Sequence, residues 1–156
     1  SARLGEFKVR ELEITTGGEE VIICLDHLFD WDAESFEQAA SAAASLYFYG
    51  QRSQLNVKLW TAQTGVINSR PIILEALAGI QPQIQGDRPQ SQPNSTLLWL
   101  TQNAQTVENL PRGSRWIFFA TEDALPSSGS TRRGLTINQT EVLQMQLQKA
   151  VASQTA

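Results

Sequence analysis

A short, unbroken apolar run that ends on an aspartate is the feature that most constrains how this chain folds. Residues 21–26 read Val-Ile-Ile-Cys-Leu-Asp, without the polar–apolar alternation of a half-exposed strand. A β-branched run of this kind predicts a strand that is buried on both faces, as in a covered parallel sheet. Ligands of such sheets bind at the carboxyl ends of the strands, and Asp26 stands at such an end.

Strand and helix signals alternate along the chain after this run. Residues 32–49 predict a helix, with Asp32 as its N-cap and Gly50 as its terminator. A short helix is predicted to begin at Pro71 and to end at Ile80. Further strands are predicted at residues 54–62, 96–101 and 115–121. This alternation predicts a three-layer α/β fold with a mostly parallel central sheet and helices on both faces.

The remaining segments complete the predicted domain of residues 1–156. Residues 7–14 alternate in polarity and predict the one antiparallel edge strand. Residues 81–94 and 122–134 are rich in Pro, Gly, Gln and Ser and are predicted to be mobile loops. Residues 138–152 predict a C-terminal helix. The two unbroken apolar strands, residues 21–26 and 96–101, should be neighbours at the centre of the sheet.

Composition excludes several classes of protein. The chain has 156 residues and a net charge of −4, which argues against a general nucleic-acid surface. Its single cysteine excludes an internal disulfide framework, and Cys24 is predicted to be a small core residue. No apolar run approaches the about 20 residues of a membrane span, and no signal-peptide pattern opens the chain. These features predict a cytoplasmic domain that makes no direct membrane contact.

The order and spacing of these segments resemble those of the von Willebrand factor A domain, and more narrowly the bacterial "domain of unknown function 58" family. The matching segments are residues 9–13, 21–26, 36–46, 55–61 and 74–80. The resemblance covers residues 8–82 and weakens toward residue 122. In that family the domain follows membrane spans and a β-rich region. The resemblance therefore implies a fragment of a longer, membrane-anchored protein, with a MoxR-type AAA+ ATPase as partner.

The metal-ion-dependent adhesion site of the von Willebrand A family is incomplete in this sequence. That site uses Asp-x-Ser-x-Ser after the first buried strand, a Thr from a later loop and an Asp after a central strand. Asp26 matches the first Asp, whereas Leu28 and Asp30 stand at the two Ser positions and Gln102 at the later Asp. Leu28 has no lone pair to offer. The resemblance thus implies a degenerate site, with no metal and no cofactor expected.

Two metal sites and one purely structural role remain open for the acidic loop. Asp26 and Asp30, helped by main-chain and water oxygens, would form a divalent-metal-dependent ligand-binding site. His27, the only histidine, would join Asp26, Asp30 and Asp32 in a transition-metal site. In the structural alternative, Asp26 accepts hydrogen bonds from loop groups and helps to cap the next helix.

The same loop is the best candidate for a partner-binding surface. Asp26, His27, Phe29, Asp30 and Trp31 are the predicted contact residues, with Trp31 as an aromatic anchor and the acids as a rim. In the alternative interpretation, Phe29 or Trp31 packs as a hydrophobic staple on the following helix. No Gly-x-Ser-x-Gly elbow, GxGxxG or Walker A motif is present, so no catalytic residue is predicted. We therefore expect a non-catalytic protein-interaction module.

Overall fold

The computed structural model describes residues 19–121 and 134–138 of the chain. The predicted strand at residues 7–14 lies outside the described residues. So does the predicted loop at 122–134, except for Gly134, which begins a strand. The predicted helix at 138–152 is also outside them, apart from Asn138, which ends that same strand.

The described chain forms one six-stranded sheet with two α-helices. The strands are β1 (Val21–Leu25), β2 (Val57–Thr61), β3 (Gly65–Ile67), β4 (Thr96–Thr101), β5 (Arg115–Ala120) and β6 (Gly134–Asn138). The helices are α1 (Ala33–Arg52) and α2 (Arg70–Gly79), and a 3₁₀ turn covers Ala104–Val107. The strand order is β3-β2-β1-β4-β5-β6, and every pair is parallel except β2 with β3. The predicted mostly parallel α/β fold is therefore confirmed.

Strand β1 lies at the centre of the sheet, between β2 and β4. Ile23 is paired with Leu59 on one side and with Leu98 on the other. All five residues of β1 are buried, because neighbouring strands flank it and side chains cover both of its faces. The predicted pairing of the two unbroken apolar strands is thus confirmed, and Cys24 lies fully buried among core residues.

Helix α1 begins as predicted but does not end at Gly50. The Asp32 carboxylate caps its first turn by accepting a hydrogen bond from the Ser35 N–H at 3.0 Å. The helix continues to Arg52, and Gln54, with φ of 60°, takes the left-handed conformation that often follows a helix. Gly50 instead lies against Val57, whose methyl groups would be 2.8 Å from an added Cβ. The glycine therefore permits close packing of helix on strand, and the terminator prediction was wrong.

The two faces of the sheet carry separate apolar clusters. Helices α1 and α2 pack on the face that contains Ile23, Leu59 and Leu98. The other face carries a cluster with Trp60 and Trp99, whose rings stack at 5.6 Å. Helices were also predicted on this second face, and the described residues do not test that prediction. Within the same described part of the chain, no helix has the length and apolarity needed to cross a membrane.

Candidate site at the carboxyl edge of the sheet

Asp26 continues the line of β1 at the carboxyl edge of the sheet, and its side chain points into the protein. Its backbone N–H donates to Leu100 O at 2.9 Å, which extends the pairing of β1 with β4 by one residue. The side chain is only 7% exposed. Its Oδ2 accepts a hydrogen bond from the Thr101 hydroxyl at 2.7 Å and lies 3.0 Å from the Thr106 hydroxyl. Asp26 therefore has the internal hydrogen-bonding role that the structural alternative predicts.

The two threonines belong to a wider hydrogen-bond network. Thr101 Oγ1 accepts from the Asn103 N–H at 2.9 Å, and Thr106 Oγ1 accepts from the Trp99 indole N–H at 2.9 Å. Thr106 also lies 2.8 Å from Asn103 O, so its one hydroxyl proton has two possible acceptors. The network joins the end of β1 to the 3₁₀ turn after β4 and holds the Asp26 carboxyl within the protein.

Burial is the main influence on the ionisation of Asp26. Removal from water raises the pKa of its carboxyl above the usual range, because the charged form loses solvation. Hydrogen bonds from the hydroxyls of Thr101 and Thr106, and the electrostatic effect of the neighbouring His27, oppose this shift in the Asp26 pKa without cancelling it. A carboxyl that is costly to ionise is a poor match for a hard cation, which binds the deprotonated form.

Gln102, at the position of the expected second aspartate, has a purely structural set of contacts. Its Oε1 accepts from the Asp32 N–H at 2.9 Å, and its Nε2 donates to Phe119 O at 2.9 Å. The side chain is buried, and both ends of its amide are engaged. Gln102 therefore links the start of helix α1 to β5 through the two ends of its side-chain amide.

Trp31 is a core residue that staples helix α1. Its side chain is 6% exposed, and its indole N–H donates to Asp26 O at 2.9 Å. The ring meets that of Phe36 edge to face, with 5.3 Å between centroids. Trp31 precedes the N-cap Asp32, and Phe36 is the fourth residue after that cap, which is the spacing of a hydrophobic staple. The structure thus supports the stapling interpretation and does not present the indole as an exposed anchor.

The five residues predicted for partner contact do not share one surface. Asp26, His27 and Trp31 are buried, Phe29 is partly buried against the helix-covered core, and only Asp30 is exposed. Partner contact at this loop stays a prediction, and burial limits it to the members of this set that a partner can reach. A partner that approaches this loop meets Asp30 and the exposed part of Phe29.

The described residues do not assemble the transition-metal site considered from the sequence, which needs His27 together with Asp26, Asp30 and Asp32. Among residues 19–121 and 134–138, no group of three or more His, Cys, Asp and Glu side chains is placed to hold a metal ion. Asp26 is bonded to threonines, Asp32 caps helix α1, and Asp30 is exposed. The proposed transition-metal set therefore does not converge, because its members serve different parts of the loop.

His27 connects the acidic loop to the segment after helix α2, a contact that the sequence did not reveal. Its Nδ1 lies 3.0 Å from Gln81 O, and its own carbonyl accepts from the Gln83 N–H at 2.9 Å. A cleft of about 250 Å³ opens beside it. The residues around this cleft include His27, Leu28, Gln63, Gln83, Asp87 and Arg88. They come from three separate segments, so no local motif marked the site.

Comparison with known proteins adds no identity to this description. No family model, no curated protein and no solved structure matches the chain.

Proposed function

We propose that this domain is a non-catalytic protein-interaction module that binds its partner at the carboxyl edge of the sheet without a metal ion. The observation that carries the proposal is the inward hydrogen bonding of Asp26 to Thr101 and Thr106. The residue that a metal-dependent domain would use as its first ligand here serves as a structural anchor. The edge is thereby held in a fixed shape, and fixed surfaces bind at a lower entropic cost.

Exposed groups beside this anchor support a role in partner contact. Ile84 is 73% exposed and follows Gln83, whose N–H is bonded to the His27 carbonyl. Asp30 is exposed on the neighbouring loop. Ile84 thus lies on a segment that is hydrogen-bonded to the start of the loop that carries Asp30. Together, the two exposed side chains would give a partner an apolar contact and a source of electrostatic steering. We therefore place the interface at Asp30, Phe29 and Ile84.

The partner that we propose is a MoxR-type AAA+ ATPase. This assignment rests on the resemblance to the von Willebrand A-like domain of the bacterial "domain of unknown function 58" family. It is supported by the position of Asp26 at the end of a central strand in a mostly parallel sheet. The assignment is an analogy at the level of the fold, and the domain would then act as the docking part of a longer protein.

The direct test is a binding titration of the domain with a purified MoxR-type ATPase from the same organism. The titration is run without nucleotide, in EDTA and in Mg²⁺ buffer, and light scattering verifies the assembly of the ATPase in each buffer. We expect equal affinity in both buffers. Loss of binding in EDTA would instead support the metal-dependent alternative that uses Asp26 and Asp30. An absence of binding in both buffers would contradict the assignment of this partner.

Variants locate the interface in the same titration. Ile84→Ser should weaken binding by roughly tenfold or more, the scale expected when a contact residue is truncated. Asp30→Asn should mainly slow association and reduce its dependence on salt. Ile72→Ser is the matched control, because Ile72 is 51% exposed on helix α2 and lies outside the proposed interface. Equal effects of the two isoleucine substitutions would place the interface elsewhere.

A further inference from the structure

One carbonyl oxygen joins the two segments that carry the proposed interface. The oxygen of His27 accepts hydrogen bonds from the Phe29 N–H and from the Gln83 N–H, each at 2.9 Å. Phe29 is itself a residue of the proposed interface, and Gln83 directly precedes Ile84. The loop after β1 and the segment after helix α2 therefore meet at His27.

The ring of His27 adds a second bond to the segment after helix α2. Its Nδ1 lies 3.0 Å from the carbonyl oxygen of Gln81, and a carbonyl oxygen only accepts hydrogen bonds, so Nδ1 carries a proton. The His27 side chain is only 1% exposed, which keeps bulk water away from this bond. A single residue of one loop thus holds the backbone of the other segment at residues 81 and 83.

Two further contacts fix the ends of the same segment. Ile80, which precedes it, is buried in the apolar cluster on the helix-covered face of the sheet. At the far end, the Gln90 N–H donates to Ala62 O at 2.7 Å. Ile84 lies between these points and is 73% exposed. A large apolar side chain is therefore carried on a backbone that is held on both sides of it.

We propose that His27 is the positioning residue of the interface, and that it holds Ile84 ready to enter an apolar pocket of the partner. The inference rests on the proposed function, because it takes Ile84 as a contact residue. A segment that is ordered before binding loses little freedom in the complex, so it binds more tightly than a mobile one. His27 strengthens binding in this way without touching the partner, since its side chain is buried.

Two substitutions of His27 separate its ring bond from its packing. In Asn the amide nitrogen is bonded to Cγ, as Nδ1 is in His, so His27→Asn keeps a donor toward Gln81. His27→Leu fills the buried space better but has no donor. In the titration with the MoxR-type ATPase, His27→Leu should weaken binding about fivefold or more, and His27→Asn should stay within about twofold of the wild type. A role in packing alone would give the reverse order.

A double-mutant cycle tests whether His27 acts through Ile84. Ile84→Ser should weaken binding roughly tenfold in the wild type, but only about threefold or less beside His27→Leu, because a mobile segment has already lost much of the contact. Ile72→Ser should have the same small effect in both backgrounds. Val57→Ala is the control for general destabilisation. It truncates a buried side chain at the amino end of β2, and should leave binding unchanged.

The free domain gives a measurement that does not depend on the partner. Nuclear magnetic resonance relaxation of the Ile84 backbone N–H reports the mobility of the segment on the nanosecond timescale. We expect an order parameter of about 0.85 in the wild type and in His27→Asn, and a fall toward about 0.6 in His27→Leu. Residues 81–94 were predicted to be a mobile loop, so the wild-type value also decides between that prediction and a fixed segment.

The possible results distinguish this inference from the proposed function. Equal ATPase affinity of His27→Leu and the wild type, or a low order parameter at Ile84 in the wild type, would overturn the inference and leave the proposed function standing. A wild-type domain that is rigid at Ile84 and does not bind the ATPase would reject the proposed partner, and His27 would then have no interface to position. If His27→Leu does not fold, His27→Met takes its place, since Met also lacks a donor and adapts to the space available.

Discussion

Thr101 donates its hydroxyl hydrogen to the Asp26 carboxylate across 2.7 Å, and so links the ends of the two central strands β1 and β4. The bond lies where the carboxyl ends of parallel strands meet, the usual place for a ligand in this class of sheet. Here the carboxyl is buried and its partners are protein hydroxyls. This arrangement of the Asp26 carboxyl determines how the carboxyl edge of the sheet responds to pH, to side-chain truncation and to metal ions.

The pH dependence of folding should carry the signature of Asp26. Burial raises the pKa of Asp26 in the folded state above its unfolded value. The protonated form therefore favours folding, and this contribution is complete below the unfolded pKa of about 4 and is lost as pH rises through the raised folded pKa. Asp26→Asn removes this loss, so the variant should gain stability relative to the wild type as pH rises. Denaturant titrations from acidic to neutral pH measure this difference.

Asp30→Asn is the control for this pH experiment. Asp30 is exposed, so its substitution should leave the pH profile of the wild type nearly unchanged. The interpretation of Asp26 would be contradicted if the wild type gained stability over Asp26→Asn as pH rose, because the folded pKa would then have to lie below the unfolded value.

Trp31 should contribute to stability. Trp31→Ala removes a buried indole that packs on Phe36 and Phe119, and it should lower the free energy of unfolding by about 3–5 kcal/mol. Trp31→Phe keeps an aromatic ring and loses the hydrogen bond to Asp26 O, with an expected loss nearer 1 kcal/mol for that bond. Denaturant unfolding of both variants checks that Trp31→Ala loses more stability than Trp31→Phe. If Trp31→Ala were as stable as the wild type, the stapling role would be refuted.

Substitutions of Gln102 that change its hydrogen bonding should destabilise the protein, even where they keep the side-chain volume nearly constant. Gln102→Leu leaves the Asp32 N–H and Phe119 O without this partner, at a cost of about 1–3 kcal/mol for each group that stays buried. Gln102→Glu keeps an acceptor for Asp32 but loses the donor and buries a charge, so it should destabilise more at neutral pH. Thermal unfolding compares both with Gln105→Leu at an exposed site. Equal stability of all three variants would contradict the bridging role.

Gly50 should resist substitution although it lies within a helix. Alanine there gains up to about 1 kcal/mol of helix propensity. Its Cβ would also meet the Val57 methyl groups at 2.8 Å, and overpacking of this kind costs about 1–3 kcal/mol. We expect net destabilisation by Gly50→Ala and partial rescue when Val57→Ala is added. Gly79→Ala is the control, because its Cβ would meet nothing within 4 Å. A stabilised Gly50→Ala variant would argue against the close contact.

The sequence predicted the elements whose signals are local and strong. The unbroken apolar runs of β1 and β4 identify central strands, because only a strand covered on both faces needs apolar residues at every position. Asp32 was predicted as an N-cap because its carboxylate can accept from the free N–H groups of a first turn. These relationships involve few residues that are close in the sequence, so the sequence alone shows them.

The elements that were missed depend on contacts between distant segments. A helix-ending glycine and a close-packing glycine look alike in the sequence, and only the position of Val57 beside Gly50 distinguishes the two roles. Strand β3 has three residues and is held by backbone pairing with β2, which no side-chain pattern records. The cleft at His27 forms only when the segment after helix α2 folds back on the loop after β1.

A melting experiment in divalent cations tests most directly whether the carboxyl edge works without a metal ion. Domain samples are melted in EDTA and in millimolar Mg²⁺, Ca²⁺ and Mn²⁺, with Asp26→Asn measured alongside. A ligand far below its Kd gives almost no stabilisation, so we predict that the melting temperature changes by less than about 1 °C. A saturable rise of several degrees that Asp26→Asn abolishes would contradict this prediction and would identify Asp26 as a metal ligand.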